Sequence, residues 1–241
     1  MNLVSLSFLV VALAEESAFE ECPLTLNINR SIRNLGFHRN IDYSFEMLGG
    51  EELKDCKLCF KQTIPSGLFV NQDQIWELVR LGKLAAHVDG PVDVETPADK
   101  SGPHNVYIFT ELAPGPVYNA SVTLPIHARY HTAKKDGGFE QAFLPLPEVY
   151  FSCELMPPQC RDVEYQGQPE LSLCPVSPDG TTYRLAKYTI ESGANSSEIV
   201  IPVGNSSNYE IVQIFTFIVT WAGSHFIYYT ILNNKPRDGI S

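Results

Sequence analysis

The chain has 241 residues, 44% hydrophobic, 11% aromatic and 19% charged, with a formal net charge of −11. That is apolar mass for one compact domain or two small ones, and too many aromatics for intrinsic disorder. The acidity removes the electrostatic ground for binding nucleic acid or an anionic lipid surface, and 17 prolines exclude a helical bundle.

The first fourteen residues carry no charged side chain and end Ala12-Leu13-Ala14 ahead of Glu15-Glu16. This pattern predicts a secretory signal peptide over residues 1–14, cleaved after Ala14, and a stretch too short to span a bilayer. A lumenal region over 15–208 follows. Within it, Leu24, Leu26 and Ile28 alternate with Thr25, Asn27 and Asn29, and Ile41, Tyr43, Phe45 and Met47 alternate with Asp42, Ser44 and Glu46. A period of two predicts half-buried strands, with a turn at Gly49-Gly50. Further strands are expected over 58–64, 105–112, 117–130, 142–153, 183–190 and 198–203. Asn71 or Asp73 is placed to cap one short helix whose Ile75, Leu78, Val79 and Leu81 or Ala85 face the core. Thirteen of the prolines fall between Pro91 and Pro178. Short strands with Pro and Gly turns predict a mainly β, sandwich-like domain, with a possible boundary between two β lobes near Pro114-Gly115-Pro116.

Ile211 to Leu232 holds no Asp, Glu, Lys or Arg, and at 1.5 Å per residue its 22 residues extend about 33 Å. A transmembrane helix is predicted over 209–232. Lys235 and Arg237 in the tail (233–241) put that tail in the cytosol, making a single-pass type I protein with its bulk in the lumen. A lipid-anchor attachment signal would end apolar, whereas this chain ends with charges; a buried core helix is the other alternative. Gln213, Thr216, Thr220 and Ser224 are spaced 3, 4 and 4 and share about 80° of the helix, a polar face suited to a second membrane helix.

Six cysteines (Cys22, Cys56, Cys59, Cys153, Cys160 and Cys174) lie between the apolar ends, and in an oxidising lumen they predict up to three disulfides among fifteen pairings. The Cys56-x-x-Cys59 pair lacks a βαβ setting for redox chemistry and a second such pair for zinc, so structural bridges are expected, within the pair or outward. Sequons at Asn29, Asn119, Asn195 and Asn205 are candidate glycosylation sites on surface loops, Asn205 the poorest because of its closeness to the membrane.

The sequence holds no G-x-S-x-G, no phosphate-binding loop and no H-E-x-x-H. His127 and His131 would stand about 13 Å apart along a strand, too far for one metal. Asp93-Val94-Glu95 is expected to be a solvated acidic loop. No catalytic residue, cofactor site or metal site is predicted.

Leu124-Pro-Ile-His-Ala-Arg-Tyr-His131, with Phe143-Leu-Pro-Leu-Pro-Glu-Val-Tyr-Phe-Ser-Cys153 downstream, resembles the PIG-X family, which includes the fungal Pbn subunits. Gly36-Phe37-His38-Arg39 and Pro65-Ser66-Gly67-Leu68-Phe69-Val70-Asn71 are similar to two further elements of that family, which usually has Asp at the position of Asn71. The resemblance covers roughly 33–155 and the C-terminal helix. It implies an endoplasmic reticulum membrane protein, a non-catalytic, stabilising subunit of glycosylphosphatidylinositol (GPI) mannosyltransferase I. That complex adds the first α-1,4-mannose from dolichol-phosphate-mannose to the glucosaminyl-(acyl)phosphatidylinositol intermediate. The implied partner is a multi-spanning catalytic subunit of PIG-M type. Arg129, Tyr130 and His131 are the candidate partner surface, or else Arg129 and His131 cover a sheet edge while Tyr130 packs. Two other classes stand beside this reading: a type I cell-surface adhesion or receptor ectodomain, told apart by its location, and a lumenal enzyme, told apart by activity of the lumenal fragment.

Overall fold

A computed structural model describes residues 24–48, 53–115, 117–155, 174, 184–185 and 197–233. The signal-peptide segment, Gly49-Gly50, Cys22, Cys160, Asn195 and the charged tail lie outside the described residues.

The elements in chain order are β1 (Thr25–Arg33), β2 (His38–Leu48), β3 (Lys57–Ile64), β4 (Leu68–Phe69), α1 (Gln72–Arg80), β5 (Ala85–Val88), β6 (His104–Glu111), β7 (Tyr118–Ala128), β8 (Gly138–Leu144), β9 (Glu148–Ser152), β10 (Arg184–Leu185), β11 (Ser197–Val203) and α2 (Tyr209–Asn233). A 3-10 turn, Ser206–Asn208, joins β11 to α2. The fold is mainly β, as the alternation predicts. One sheet has the order β1-β2-β7-β4 and a second the order β10-β9-β3-β6-β5; β11 and β8 form a two-stranded ribbon. Every paired strand in the three is antiparallel.

The alternating apolar residues meet in one core. Ile28, Ile41, Phe45 and Leu124 from the first sheet pack with Leu58, Phe60, Ile108 and Val149 from the second, and the ribbon adds Leu144, Ile199 and Ile201. At Pro114-Gly115, where two lobes were conceivable, the chain crosses from β6 in one sheet to β7 in the other, over this single core. A buried polar bridge crosses the layers. The Tyr43 hydroxyl donates to Gln62 Oε1 at 2.6 Å, and Gln62 Nε2 donates to the carbonyls of Pro145 (3.0 Å) and Thr63 (2.8 Å). Burial pushes the Tyr43 phenol upward. Arg30 donates to the carbonyls of Leu144 and Pro145, tying β1 to the end of β8.

Two expectations are corrected. The strand expected over 142–153 is two strands, β8 and β9, in different sheets. Pro145 and Pro147 lie between them, and proline lacks the N–H that continuous pairing would use. Helix α1 is shorter than expected: Ile75 is buried and Leu78 packs against the core, but Val79 and Leu81 are exposed and Ala85 opens β5. Gly82, at φ +66°, turns the chain out of the helix after Leu81. Of the strand expected over 183–190, Arg184 and Leu185 are the described residues, and they form β10; the rest lies outside the described residues.

Cys56 and Cys59 both bridge outward, to Cys153 and Cys174 respectively. An odd separation along extended chain turns the two thiols to opposite faces. Cys56 therefore joins the core, while Cys59 packs with Tyr150 and Cys174 on the outer side.

Helix α2 is 25 residues, about 37 Å, with exposed side chains almost throughout. By length and composition it is a candidate membrane span. Its polar stripe turns onto its own backbone: Thr220 Oγ1 donates to the Thr216 carbonyl and Ser224 Oγ to the Thr220 carbonyl, each at 2.8 Å. The Trp221 and His225 rings meet edge-on at 4.4 Å.

Candidate functional site

The three short motifs singled out in the sequence converge on one end of the first sheet. His38 and Phe69 both pair with His127, and Leu68 pairs with Ala128. The Ala128 N–H donates to the Phe37 carbonyl at 2.8 Å, and the Arg129 N–H donates to the Gly67 carbonyl at 2.9 Å. Gly67 permits this close approach, since a Cβ there would stand 3.2 Å from the Ala142 Cβ and 3.5 Å from His131 Nε2. Pro125 is tolerated in β7 because β4 pairs only with His127 and Ala128, so among the described residues that side of β7 is unpaired at the buried proline.

Arg129, Tyr130 and His131 divide rather than form one surface. Arg129 is 4% exposed. Its guanidinium donates to the Asp93 and Thr96 carbonyls, each at 2.7 Å, and lies 4.9 Å from the Phe69 ring centre. Burial lowers its pKa. Tyr130 points outward at 76% exposed, its ring 4.9 Å from Phe37. Its carbonyl accepts from the Ala98 N–H at 3.0 Å. His131 is half-buried, and among the described residues its Nε2 has no hydrogen-bond partner. Of the triplet, Tyr130 is the exposed residue, while Arg129 holds the fold.

Asp93-Val94-Glu95 is exposed, as expected of a solvated loop, and is ordered by its own hydrogen bonds. The Asp93 carboxylate accepts from the Thr96 hydroxyl (2.6 Å) and the Glu95 N–H (2.9 Å), and these bonds hold it below the usual carboxylate range. Asn71 caps α1, its Oδ1 accepting from the Asp73 and Gln74 N–H groups. An Asp there would do the same work, so this position is a helix cap.

Four histidines surround the motif end. The His38 and His127 rings meet edge-on at 4.7 Å, and His127 Nε2 is 2.9 Å from Gln74 Oε1. Burial lowers the His127 pKa, with the His38 charge adding to the effect. His104 Nε2 accepts from the Val70 N–H at 3.3 Å, and burial, then the Arg129 charge, push its pKa down to about 4. His131 lies beyond the end of β7, so the single-strand spacing expected for His127 and His131 does not apply. Among the described residues no three His, Cys, Asp or Glu gather as metal ligands do.

The sequons fall on a different face. Asn29 and Asn119 are exposed, and both stand on strands rather than loops. Asn29, Ser44 and Ser121 share one row across β1, β2 and β7; Asn119 lies two residues along β7 from Ser121. Asn29, Ser31, Asp42, Ser121 and Thr123 line a shallow polar groove of about 290 Å³ on this outer face. Asn205 is exposed and caps the 3-10 turn, accepting from the Ser207 N–H.

Phe37, Phe69 and Gln74 join the motif end although periodicity did not single them out; the first two sit inside the quoted motifs. His104 carried no sequence signal, because its tie to Val70 spans 34 residues.

A family profile described as PIG-X / PBN1 matches residues 34–232. The chain is 29% identical over 126 residues to the Homo sapiens "GPI alpha-1,4-mannosyltransferase I, stabilizing subunit", covering 49% of this chain and 47% of that protein. It is 24% identical over 205 residues to "Protein PBN1" of Yarrowia lipolytica, covering 77% of this chain and 39% of that protein. The chain thus spans less than half the length of either relative. A cohesin module from a Clostridium perfringens family 33 glycoside hydrolase superposes with a TM-score of 0.30 at 9% identity over 76% of this chain and 98% of that one, below the level of a shared fold.

Proposed function

The chain belongs to the PIG-X / PBN1 family, and on that premise we propose that it is a non-catalytic, stabilising subunit of GPI mannosyltransferase I. The complex transfers the first α-1,4-mannose from dolichol-phosphate-mannose to the glucosaminyl-(acyl)phosphatidylinositol intermediate. The subunit sits in the endoplasmic reticulum membrane as a single-pass type I protein, its β domain in the lumen, beside a multi-spanning catalytic subunit of PIG-M type.

One observation carries this reading: the profile match runs through both the β domain and α2, and the motifs that resemble the family make a single hydrogen-bonded end of that domain. The human relative's name supplies the enzyme. The mechanism is linkage, because a subunit that binds only the folded catalytic chain raises its stability by mass action. Each interhelical hydrogen bond adds only about 0.6 kcal/mol on average, so Gln213, Thr216, Thr220 and Ser224 act together, with lumenal contacts adding to them.

Depletion of this chain tests the proposal. The level of the mannosyltransferase catalytic subunit and of surface GPI-anchored proteins should both fall, and extra catalytic subunit should partly restore them. Unchanged GPI anchoring after complete depletion overturns the reading. A narrower test changes Thr216, Thr220 and Ser224 together to Leu, which should release the partner and leave insertion intact.

A further inference from the structure

The exposed side chains of the β domain are unevenly distributed. The outer face of the first sheet is polar and carries Asn29 and Asn119 with their sequon serines. The ribbon is the opposite. Phe139 is 67% exposed, Phe143 57% and Val200 42%. Phe139 pairs with Pro202, Gln141 with Val200 and Phe143 with Glu198, so alternate residues on the two strands build one strip. Beneath it, Ala142, Leu144, Ile199 and Ile201 fill the core, while the strip's own side chains stay exposed among the described residues.

The strip is also close to α2 along the chain. β11 passes into α2 through Gly204, Asn205 and one 3-10 turn. The preceding turn is pinned to that junction, with the Lys134 N–H donating to the Gly204 carbonyl and the Ser206 N–H to the Lys134 carbonyl. Tyr209 follows Pro202 by seven positions, at most about 25 Å of chain. A protein beside α2 in the bilayer therefore has its lumenal loops within reach of the strip.

We propose that the outer face of β8 and β11, centred on Phe139, Phe143 and Val200, docks a lumenal segment of the membrane-embedded catalytic subunit that α2 contacts in the bilayer. The proposal rests on the accessory-subunit reading above and names its lumenal surface. Lipid is the poorer occupant. The chain's formal net charge of −11 is repelled by an anionic lipid surface. Gln141 and exposed Glu198 interrupt the apolar side chains, as in a protein interface with a polar rim. The sequon-bearing face stays free for solvent and glycans, so the domain has a docking side and an exposed side.

The test uses tagged full-length chain in cells lacking the endogenous copy, and reads co-purification and half-life of the catalytic subunit. Phe139→Ser with Phe143→Ser should reduce co-purification at least fivefold without moving the thermal midpoint. Gln141→Asn with Phe143→Thr builds a sequon on the strip; a glycan there, visible as a gel shift, should block association to the same degree. Asn29→Gln with Asn119→Gln should change it less than twofold. Retained partner with the strip variants overturns the proposal, whether or not self-association or lipid partitioning changes instead. A fallen midpoint with the partner retained by the glycan-bearing variant assigns the strip to this chain's own residues, and also overturns it. If the unaltered chain fails to hold the catalytic subunit, the accessory-subunit reading itself fails, and the docking proposal with it.

Discussion

The Arg129 guanidinium donates to the Asp93 carbonyl at 2.7 Å, across 36 residues of sequence, and to the Thr96 carbonyl at the same distance. The arginine of the R-Y-H motif therefore fastens a proline-flanked acidic loop to the end of β7. Its neighbour Tyr130 faces the opposite way. One tripeptide thus carries a structural residue and an exposed one, and the two respond differently to mutation.

Arg129→Ala should cost about 2–4 kcal/mol, since it strands two carbonyls and removes the guanidinium that lies over the Phe69 ring. Tyr130→Ala should stay within about 1 kcal/mol. Thermal unfolding of the full chain in detergent separates the two. A neutral Arg129→Ala would show that the loop is not held by the guanidinium.

The Tyr43–Gln62–Pro145 bridge lies buried between the sheets. Gln62→Leu should destabilise the protein by about 2–3 kcal/mol, because the phenol and a carbonyl lose a buried partner. Tyr43→Phe should cost about 1–2 kcal/mol. Denaturant unfolding checks both, and an additive double variant would argue against a connected bridge.

His104 makes stability pH-dependent. Its folded pKa is about 4 against an ordinary value of 6.5. Above pH 6.5 the ring is neutral in both states and the full stability is present. As pH falls from 6.5 towards 4, the unfolded chain takes up a proton that the folded chain refuses, so stability declines. The slope is at most about 1.4 kcal/mol per pH unit, and solvent contact at this half-buried ring makes it shallower. His127, lowered in the same direction by burial, adds to the decline. His104→Gln should flatten the profile between pH 4 and 6.5, measured as thermal midpoint against pH.

The Cys56–Cys153 bridge closes 97 residues. In the chain-entropy account a loop of that size stabilises by about 4–5 kcal/mol, and engineered losses run somewhat smaller. Cys56→Ala with Cys153→Ala should therefore lower stability by about 3–4 kcal/mol while leaving the Cys59–Cys174 bridge in place. Mass spectrometry of non-reduced peptides checks the second half, and a rearranged bridge there would contradict the assignment.

Asn29 and Asn119 are exposed, about 12 Å apart by sheet geometry, and should both carry N-linked glycans. Asn205, four residues before the start of α2, should stay unmodified. Peptide mapping after glycosidase treatment in heavy-oxygen water reads the three sites directly.

The local pattern sufficed for what depends on neighbours in the chain. Alternation at Leu26, Ile28, Ile41, Tyr43 and Phe45 places β1 and β2, because a strand's facing follows from parity alone. The apolar run from Ile211 to Leu232 specifies a helix of membrane length, because 1.5 Å per residue is a property of the backbone. Asn71 announces α1, because a cap needs only the N–H groups two and three residues ahead. Pairing partners are another matter. That Cys56 meets Cys153 and Cys59 meets Cys174, that Pro145 breaks a strand between two sheets, and that Arg129 turns inward while Tyr130 turns out are decided by which strands come to lie side by side. Loop closure over a hundred residues leaves no mark in a local window, and the same hydrophobic and charged side chains would suit either side of the sheet. Only closure of the two sheets and the ribbon over one core selected among those arrangements, by leaving Arg129 within reach of two carbonyls and leaving Phe139 and Phe143 outside.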